Sequence, residues 1–358
     1  MSITISAIIP TYNEKDNIAA LLEKLDSVLS SYNYEVNFVD DNSSDGTAEL
    51  AKVLSAKYPV NVIVRKDKRG LASAVVDGFN ISRGEILLVM DADLQHPPEV
   101  IPSMLHEIES GADIAVASRY VKGGACQSWG LTRRVLSRGA TFLARLLLPS
   151  TRCVNDPMSG FFMLNRYVVA DAELKPTGYK ILTEILAMGQ FQKVVEVPYT
   201  FKNRAKGKSK LNPKQQIEYL RHLYSLLKRR GELIRFVKFC SVGLSGVVVN
   251  EGLLWLLSQL AGLVLPLASI ISVESSIISN FILNDLFTFR DRHSHGLQAR
   301  LKRLLKFNLV SLVGLAINVG LLLLLTNVFG IYYLVSNLVG IAVAMMWNYL
   351  VNSWWTWR

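Results

Sequence analysis

From Phe307 to Trp357 the chain runs for 51 residues without one Asp, Glu, Lys or Arg. A helix crosses the hydrocarbon layer of a bilayer in about 20 residues, so this stretch predicts two membrane spans with a turn near Gly330-Ile331-Tyr332-Tyr333. Phe239 to Leu283 has the same character, interrupted by Glu251 and Glu274, with its turn between Gly262 and Pro266. Four transmembrane helices are expected.

The two pairs of spans are copies of one another. A gapless shift of 68 residues superimposes Arg235 on Arg303, Lys238 on Lys306, Phe239 on Phe307 and Gly246 on Gly314. The register continues through Asn250 and Asn318, Asn280 and Asn348, Asn284 and Asn352, to Thr288 and Thr356. Each copy is one helical hairpin, so the copies share an orientation and should be related by an axis near the membrane normal. Lys228, Arg229, Arg230, Arg235 and Lys238 precede the first span, and Arg290, Arg292, Arg300, Lys302, Arg303 and Lys306 fill the central loop, whereas both short turns lack basic residues. The positive-inside rule then predicts a cytoplasmic central loop and cytoplasmic termini. The repeated asparagines are expected to hydrogen-bond between helices. Glu251 and Glu274 break the duplication, facing Val319 and Ala342, and are expected to lie near the interface in a passive role.

The amino-terminal part has a different grammar. Leu87-Leu88-Val89-Met90 reads as a central strand, followed at once by Asp91-Ala92-Asp93-Leu94-Gln95. If the strand continues, the i, i+2 spacing points both carboxylates the same way, and such a pair is costly unless a cation neutralises it. Hard oxygen donors at the carboxyl end of a strand suit Mg2+ or Mn2+ carrying a diphosphate. Ile5 to Ile9 form a first strand expected to break at Pro10, Val36 to Val39 a second ending in Asp40-Asp41, and helical patterns run from Ile18 to Leu29 and from Thr47 to Leu54. The order β-α-β-α with polar strand ends predicts a nucleotide-binding sheet edge.

The formal excess of ten positive charges is unevenly placed. Residues 1–201 carry 20 Lys/Arg against 23 Asp/Glu, residues 202–230 carry ten against Glu218 alone, and residues 231–358 carry nine against five. Positive charge gathered directly before an apolar domain favours headgroups and phosphate ligands over nucleic acid. Cys126, Cys153 and Cys240 lie far apart and form no C-x-x-C, so neither a disulfide framework nor a zinc site is expected. The chain opens on a strand pattern, so no signal peptide is expected.

Several linked segments resemble the inverting glycosyltransferases of family 2, which have the GT-A fold: Pro10-Thr11-Tyr12-Asn13-Glu14, Val39-Asp40-Asp41, Asp91 to Pro98, Ser118-Arg119-Tyr120, Arg133 to Ala140, Asp156 to Phe162 and Gly178 to Leu182. Within that family the pattern is most similar to the dolichyl- and polyprenyl-phosphate mannose synthases, and the tail resembles GtrA-like four-helix domains. The resemblance implies a GT-A domain over residues 1–230, with a basic lid loop and interfacial helices, and a four-helix domain over residues 231–358. It assigns Pro10, Tyr12, Glu14, Val39, Asp41, Asp91, Ala92, Asp93, Gln95 and Arg119 to the nucleotide-sugar site, with Asp93 and Gln95 as ligands of the divalent cation. Arg204 and Lys210 are the implied phosphate contacts of the lid, and Asp91, Asp93 and Arg119 the implied catalytic residues.

Arg119, Arg133 and Ser137 are the acceptor-phosphate candidates; on a helix Arg133 and Ser137 stand at i, i+4 on one face. The same helix also reads as a basic amphipathic segment on anionic lipid. The implied reaction transfers mannose with inversion from GDP-mannose to a dolichyl or polyprenyl phosphate. The Asp-x-Asp site itself does not choose base or sugar, so UDP-glucose-dependent glucosyl transfer remains an alternative. A lipid-linked sugar flippase with a degenerate transferase is another, against which the intact Asp91, Asp93, Gln95 and Arg119 argue. The membrane domain is expected to serve as anchor and packing platform.

Overall fold

The computed structural model describes residues 4–67, 70–127, 130–175, 178–202, 213–292 and 296–357, with backbone alone at 132 and 213–215. Ile5 to Ile9 lack the apolar-polar alternation of a half-exposed strand, as expected of a strand covered on both faces. They form β1 (Ile5–Thr11), which pairs in parallel with β2 (Tyr34–Asp40) on one side and β4 (Ile86–Val89) on the other. The expected break at Pro10 does not occur: β1 continues to Thr11, with Pro10 opposite Val39. Beyond Ile8 the strand is paired on the β2 side alone, an open flank that tolerates a residue lacking an N–H.

Among the described residues the sheet has seven strands. Next to β2 lies β3 (Val60–Val64); next to β4 follow β7 (Phe162–Asn165), β5 (Ile114–Ser118) and β8 (Val194–Pro198). Of these, β7 runs antiparallel to both its neighbours and the other pairings are parallel. Helices α1 (Lys15–Leu29), α2 (Thr47–Leu54) and α4 (Ile101–Glu109) close one face, and α3 (Leu71–Ile81) and α7 (Ile181–Met188) the other. This is a GT-A-like α/β arrangement. A short ladder of β6 (Ala125–Cys126) with β9 (Thr200–Phe201), and one turn of helix, α6 (Tyr167–Ala170), complete it.

Two further helices, α5 (Leu131–Leu147) and α8 (Pro213–Arg229), pack through a separate cluster of Ala144, Leu148, Tyr219, Leu223 and Leu226. Tyr219 Oη donates to the Ala140 carbonyl across this seam. Glu184 of α7, fully buried, pins α8 by accepting from Arg229 Nη1 at 2.7 Å and facing His222 Nε2 at 3.2 Å. Apolar residues remain on the outside of both helices: Leu131, Val135, Leu136 and Phe142 on α5, Ile217, Leu220 and Tyr224 on α8.

The chain divides into two compact units, Met1–Arg230 and Gly231–Arg358. In the second unit, four helices among the described residues are long and apolar enough to cross a membrane: Glu232–Leu260, Leu265–Thr288, Leu297–Asn327 and Tyr333–Thr356. Their regular parts are α9 (Glu232–Trp255), α10 (Leu265–Leu283), α11 (Leu297–Asn327) and α12 (Tyr333–Val351). The turns fall at Gly262 and Gly330, whose φ values of +65° and +66° call for glycine.

The duplication organises the core. Its six buried aromatics are three repeat pairs: Phe239 with Phe307, Phe281 with Tyr349, and Phe289 with Trp357. Phe289 stacks on Trp357 at 4.4 Å and an interplanar angle of 10°, and the flanking contacts come in mates, Phe239–Tyr349 at 5.5 Å and Phe281–Phe307 at 5.9 Å. The acidic partners of this core are not repeated. Asp285 accepts from Arg303 Nε at 3.0 Å and Trp357 Nε1 at 2.9 Å, while its mate position holds Ser353.

The repeated asparagines depart from the expected hydrogen bonds. Asn280 and Asn348 fill the space opposite Gly246 and Gly314, and Asn318 lies against Gly340. Their Oδ1 atoms accept no hydrogen bond among the described residues. Glu274 instead receives Asn308 Nδ2 at 2.7 Å from the other hairpin, a pair whose mates are Ala342 and Cys240. A Cβ on Gly246 would lie 2.3 Å from Asn280 Nδ2, and one on Gly314 2.5 Å from Asn348 Oδ1. Gly246→Ala and Gly314→Ala should each destabilise the detergent-solubilised protein by about 1–3 kcal/mol, the usual range for overpacking. Gly252→Ala, with open space at its Cβ, should leave the thermal midpoint unchanged or raise it.

Candidate active site

Because β2, β1, β4 and β5 are parallel, their carboxyl ends share one sheet edge, and antiparallel β7 brings its amino end there too. At that edge β4 stops at Val89. Asp91 and Asp93 therefore lie in the turn beyond the strand, and the alternation expected of a strand does not govern them. Leu94 takes φ +60°, a left-handed conformation that costs an aliphatic residue about 1–3 kcal/mol and is typical of backbones held by function. The turn closes on itself as Gln95 N–H donates to Asp93 Oδ1 at 3.1 Å. Asp93 is 3% exposed, whereas 35% of the Asp91 side chain is open. Gln95 Nε2 donates to the Lys202 carbonyl at 2.9 Å and the Lys202 N–H returns a bond to the Gln95 carbonyl, tying the turn to the end of β9.

The donor set is chemically suited to a hard divalent cation: two carboxylates, and an amide whose nitrogen is turned toward Lys202 so that its oxygen faces the other way. Among the described residues no group of three His, Cys, Asp or Glu could hold a metal, so a cation here would rely on the amide oxygen or on phosphate oxygens as well.

His96, within the Asp91–Pro98 segment but with no role expected from it, supports this turn. Its Nδ1 accepts the Asp91 N–H at 3.0 Å, which requires an unprotonated Nδ1. The ring is enclosed by Phe161, Tyr199 and Phe201 at 5.2–6.0 Å. Burial lowers its pKa to about 4, with Asp93 pulling upward and Arg119 and Lys180 pushing down.

The second pole of the site is Arg119, at the end of β5. Its Nε and Nη2 clasp Asp156 Oδ2 and Oδ1 at 2.7 Å each, and its backbone N–H adds a third bond at 3.1 Å. Burial opposes the guanidinium charge, but the Asp156 bonds more than offset this and raise its pKa. Asp156 is fully buried, so its work is to fix Arg119. Glu196 holds this corner in turn, accepting the Asn155 and Asp156 N–H groups at 2.8 and 3.1 Å.

The segment 156–160 joins the two poles. It grips Arg119 at one end, and at the other a Cβ on Gly160 would lie 3.4 Å from His96 Cε1 and 3.7 Å from Asp91 Oδ2. Lys180 Nζ donates to the Met158 carbonyl in between, at 2.9 Å. Burial lowers its pKa to about 8, aided by the Arg119 charge and resisted by Asp156 and Asp91. Lys180, like Tyr199, was not anticipated as a site residue.

The remaining expected residues fall into two groups. Pro10, Tyr12 and Glu14 follow one another at the end of β1, and Asp41 follows β2 beside them. Asp41 accepts from Arg65 Nε at 2.7 Å and from the Gly70 N–H at 2.8 Å, so its carboxylate ties Arg65 to Gly70. The Val39 side chain is fully buried against Ile8 and Val75, and Ala92 is buried with Met90; what either can offer a ligand is backbone. Arg133 and Ser137 lie on α5 as expected, and Ser137 Oγ accepts the Tyr120 hydroxyl at 2.8 Å, next to Arg119. Arg204 and Lys210 lie outside the described residues.

The His96 shift gives a stability prediction. The unfolded imidazole binds a proton near pH 6.5 and the folded one near 4. Stability from this group is therefore complete above pH 6.5 and declines as pH falls toward 4, by at most about 3 kcal/mol. Thermal unfolding of His96→Asn, which keeps an acceptor for the Asp91 N–H, should show a shallower decline over that window than the parent.

Comparison with known proteins agrees with this architecture. The sequence matches Glycosyl transferase family 2 over residues 6–171 and the GtrA/DPMS transmembrane domain over residues 238–357. A dolichol-phosphate mannosyltransferase of Pyrococcus furiosus is 49% identical over 353 residues, 99% of both chains. One of Saccharomyces cerevisiae is 39% identical over 258 residues, covering 68% of this chain and 95% of the yeast protein. Among solved structures, glucosyl-3-phosphoglycerate synthase of Mycobacterium tuberculosis, with Mn2+, UDP-glucose and phosphoglyceric acid, has a TM-score of 0.50 at 20% identity. That match covers 64% of this chain and 80% of the synthase and speaks to the fold. The chain is a membrane glycosyltransferase and belongs to the dolichol-phosphate mannosyltransferase family, a family 2 transferase domain joined to a GtrA/DPMS transmembrane domain.

Proposed function

We propose that the protein transfers mannose from GDP-mannose to the phosphate of a dolichyl or polyprenyl carrier, inverting the anomeric centre, at the cytoplasmic face of the membrane. The observation that supports this best is the 156–160 segment, which sets an acidic, oxygen-rich turn and a buried arginine against opposite ends of one short stretch of backbone. An acid turn suits a donor diphosphate carried by a cation; an arginine suits an acceptor phosphate.

In this reading Asp93 and Gln95 hold Mg2+ or Mn2+, which when bound supplies positive charge to the departing diphosphate. Pro10, Tyr12, Glu14, Val39, Asp41, Asp91 and Ala92 form the nucleotide-sugar pocket, with Arg204 and Lys210 reaching the phosphates. Arg119, Arg133 and Ser137 hold the carrier phosphate. Its oxygen is already ionised near neutral pH and attacks directly, so no strong base is required and positioning carries the rate. The exposed Leu131, Val135 and Leu136 of α5 and Ile217 and Leu220 of α8 suit burial in the membrane interface, where the carrier's phosphate lies. Basic residues around the first span and in the central loop support the cytoplasmic assignment.

Radiolabel from GDP-mannose should enter the lipid phase with polyprenyl phosphate and Mn2+, while UDP-glucose should give none. Label from UDP-glucose instead would move the protein to glucosyl transfer. Asp93→Ala should lower transfer by at least about 100-fold, the scale of losing charge stabilisation in a transition state, while still inserting into membranes. Normal turnover by that variant would refute the metal assignment.

A further inference from the structure

Tyr120 lies between the two residues that the acceptor reading needs most. Its Oη donates to Ser137 Oγ at 2.8 Å, and the Arg119 Cζ sits 5.4 Å from its ring centroid, within cation–π reach. Its own N–H is held by Ser118 Oγ at 3.3 Å.

We propose that Tyr120 is a positioning residue of the acceptor site, fixing the Ser137 hydroxyl as a hydrogen-bond donor to the carrier phosphate while its ring braces Arg119. This rests on the assignment of Arg119 and Ser137 to that phosphate. A serine hydroxyl has one proton and two lone pairs. With a lone pair taken by Tyr120, its rotation is restricted and its proton is directed away from Tyr120. A phosphate oxygen is the acceptor that rewards such an arrangement, because a hydroxyl polarised by an incoming hydrogen bond donates more strongly. Burial raises the Tyr120 pKa, so the phenol stays protonated throughout the working range. The bond also spans two elements. Tyr120 follows β5 and is tied through Arg119 to fully buried Asp156, whereas Ser137 is on α5, whose neighbouring Val135 and Leu136 face outward. Tyr120 thereby holds a lipid-facing helix in register with the sheet edge.

The test is steady-state kinetics of the full-length protein with Tyr120→Phe, Ser137→Ala, Ser137→Thr and the corresponding double variants, using whichever sugar nucleotide the transfer assay accepts. Tyr120→Phe keeps the ring against Arg119 and should raise the KM for polyprenyl phosphate about tenfold, with the KM for the sugar nucleotide and the thermal midpoint unchanged. Added to Ser137→Ala it should cost nothing more, because its effect passes through Ser137; added to Ser137→Thr, which restores a hydroxyl, it should again cost about tenfold. An unchanged carrier KM in Tyr120→Phe, or a penalty that adds in full to Ser137→Ala, overturns the positioning role. An unchanged carrier KM in Ser137→Ala overturns the acceptor assignment itself, and the role of Tyr120 with it.

Discussion

The candidate site depends on one buried ion pair. Arg119 is desolvated at the end of β5, and only the bidentate geometry of Asp156 makes such burial tolerable; leaving either partner alone typically costs about 3–5 kcal/mol. Because the clasp uses the Nε–Nη2 edge, it fixes the plane of the guanidinium as well as its place, which a lysine could not do. Asp156 is itself positioned by Glu196, and the backbone that follows it runs to Gly160 beside Asp91. The geometry at the acidic turn and at the arginine is thus set by the same five residues of chain.

The membrane unit is governed by a different constraint, its repeat. Stacked Phe289 and Trp357 are mates, so the axis relating the hairpins passes between them, and the flanking ring contacts recur on both sides at similar distances. The acidic residues do not follow this symmetry. Asp285 gathers Arg303, Arg300 and Trp357, while Glu232 gathers Arg235, Arg292 and Tyr349. Apolar shape is shared between the copies, and their acidic side chains distinguish them.

Much of this could be read from the residues because it depends on local pattern. Long stretches with few or no charges predict four spans, the 68-residue register predicts paired hairpins, and apolar runs ending in acids predict β1, β2 and β4 at one edge. Misreadings arose where tertiary packing decides. Pro10 does not end its strand, because the flank beyond Ile8 is open. Asp91 and Asp93 lie past Val89 in a turn set by Leu94. The repeated asparagines oppose glycines of neighbouring helices, a relation invisible until helix faces are known. Asp156 could not be paired with Arg119, since 37 residues separate them and acids elsewhere are equally near in sequence. His96 and Lys180 carry no signal of burial in their neighbours.

The aromatic axis has an evolutionary corollary. A chain ending after one hairpin would already present Phe239, Phe281 and Phe289 in the positions that a second copy completes, so it could build the same bundle as a twofold homodimer. Fusion in tandem removes the need for self-complementarity. Asp285 could then be kept in one copy while Ser353 replaced it in the other, and the Glu274–Asn308 bond could form on one seam while Cys240 and Ala342 occupied its mate. Joining the hairpins in one polypeptide is what allows the two lateral faces of the bundle to meet different neighbours in the bilayer.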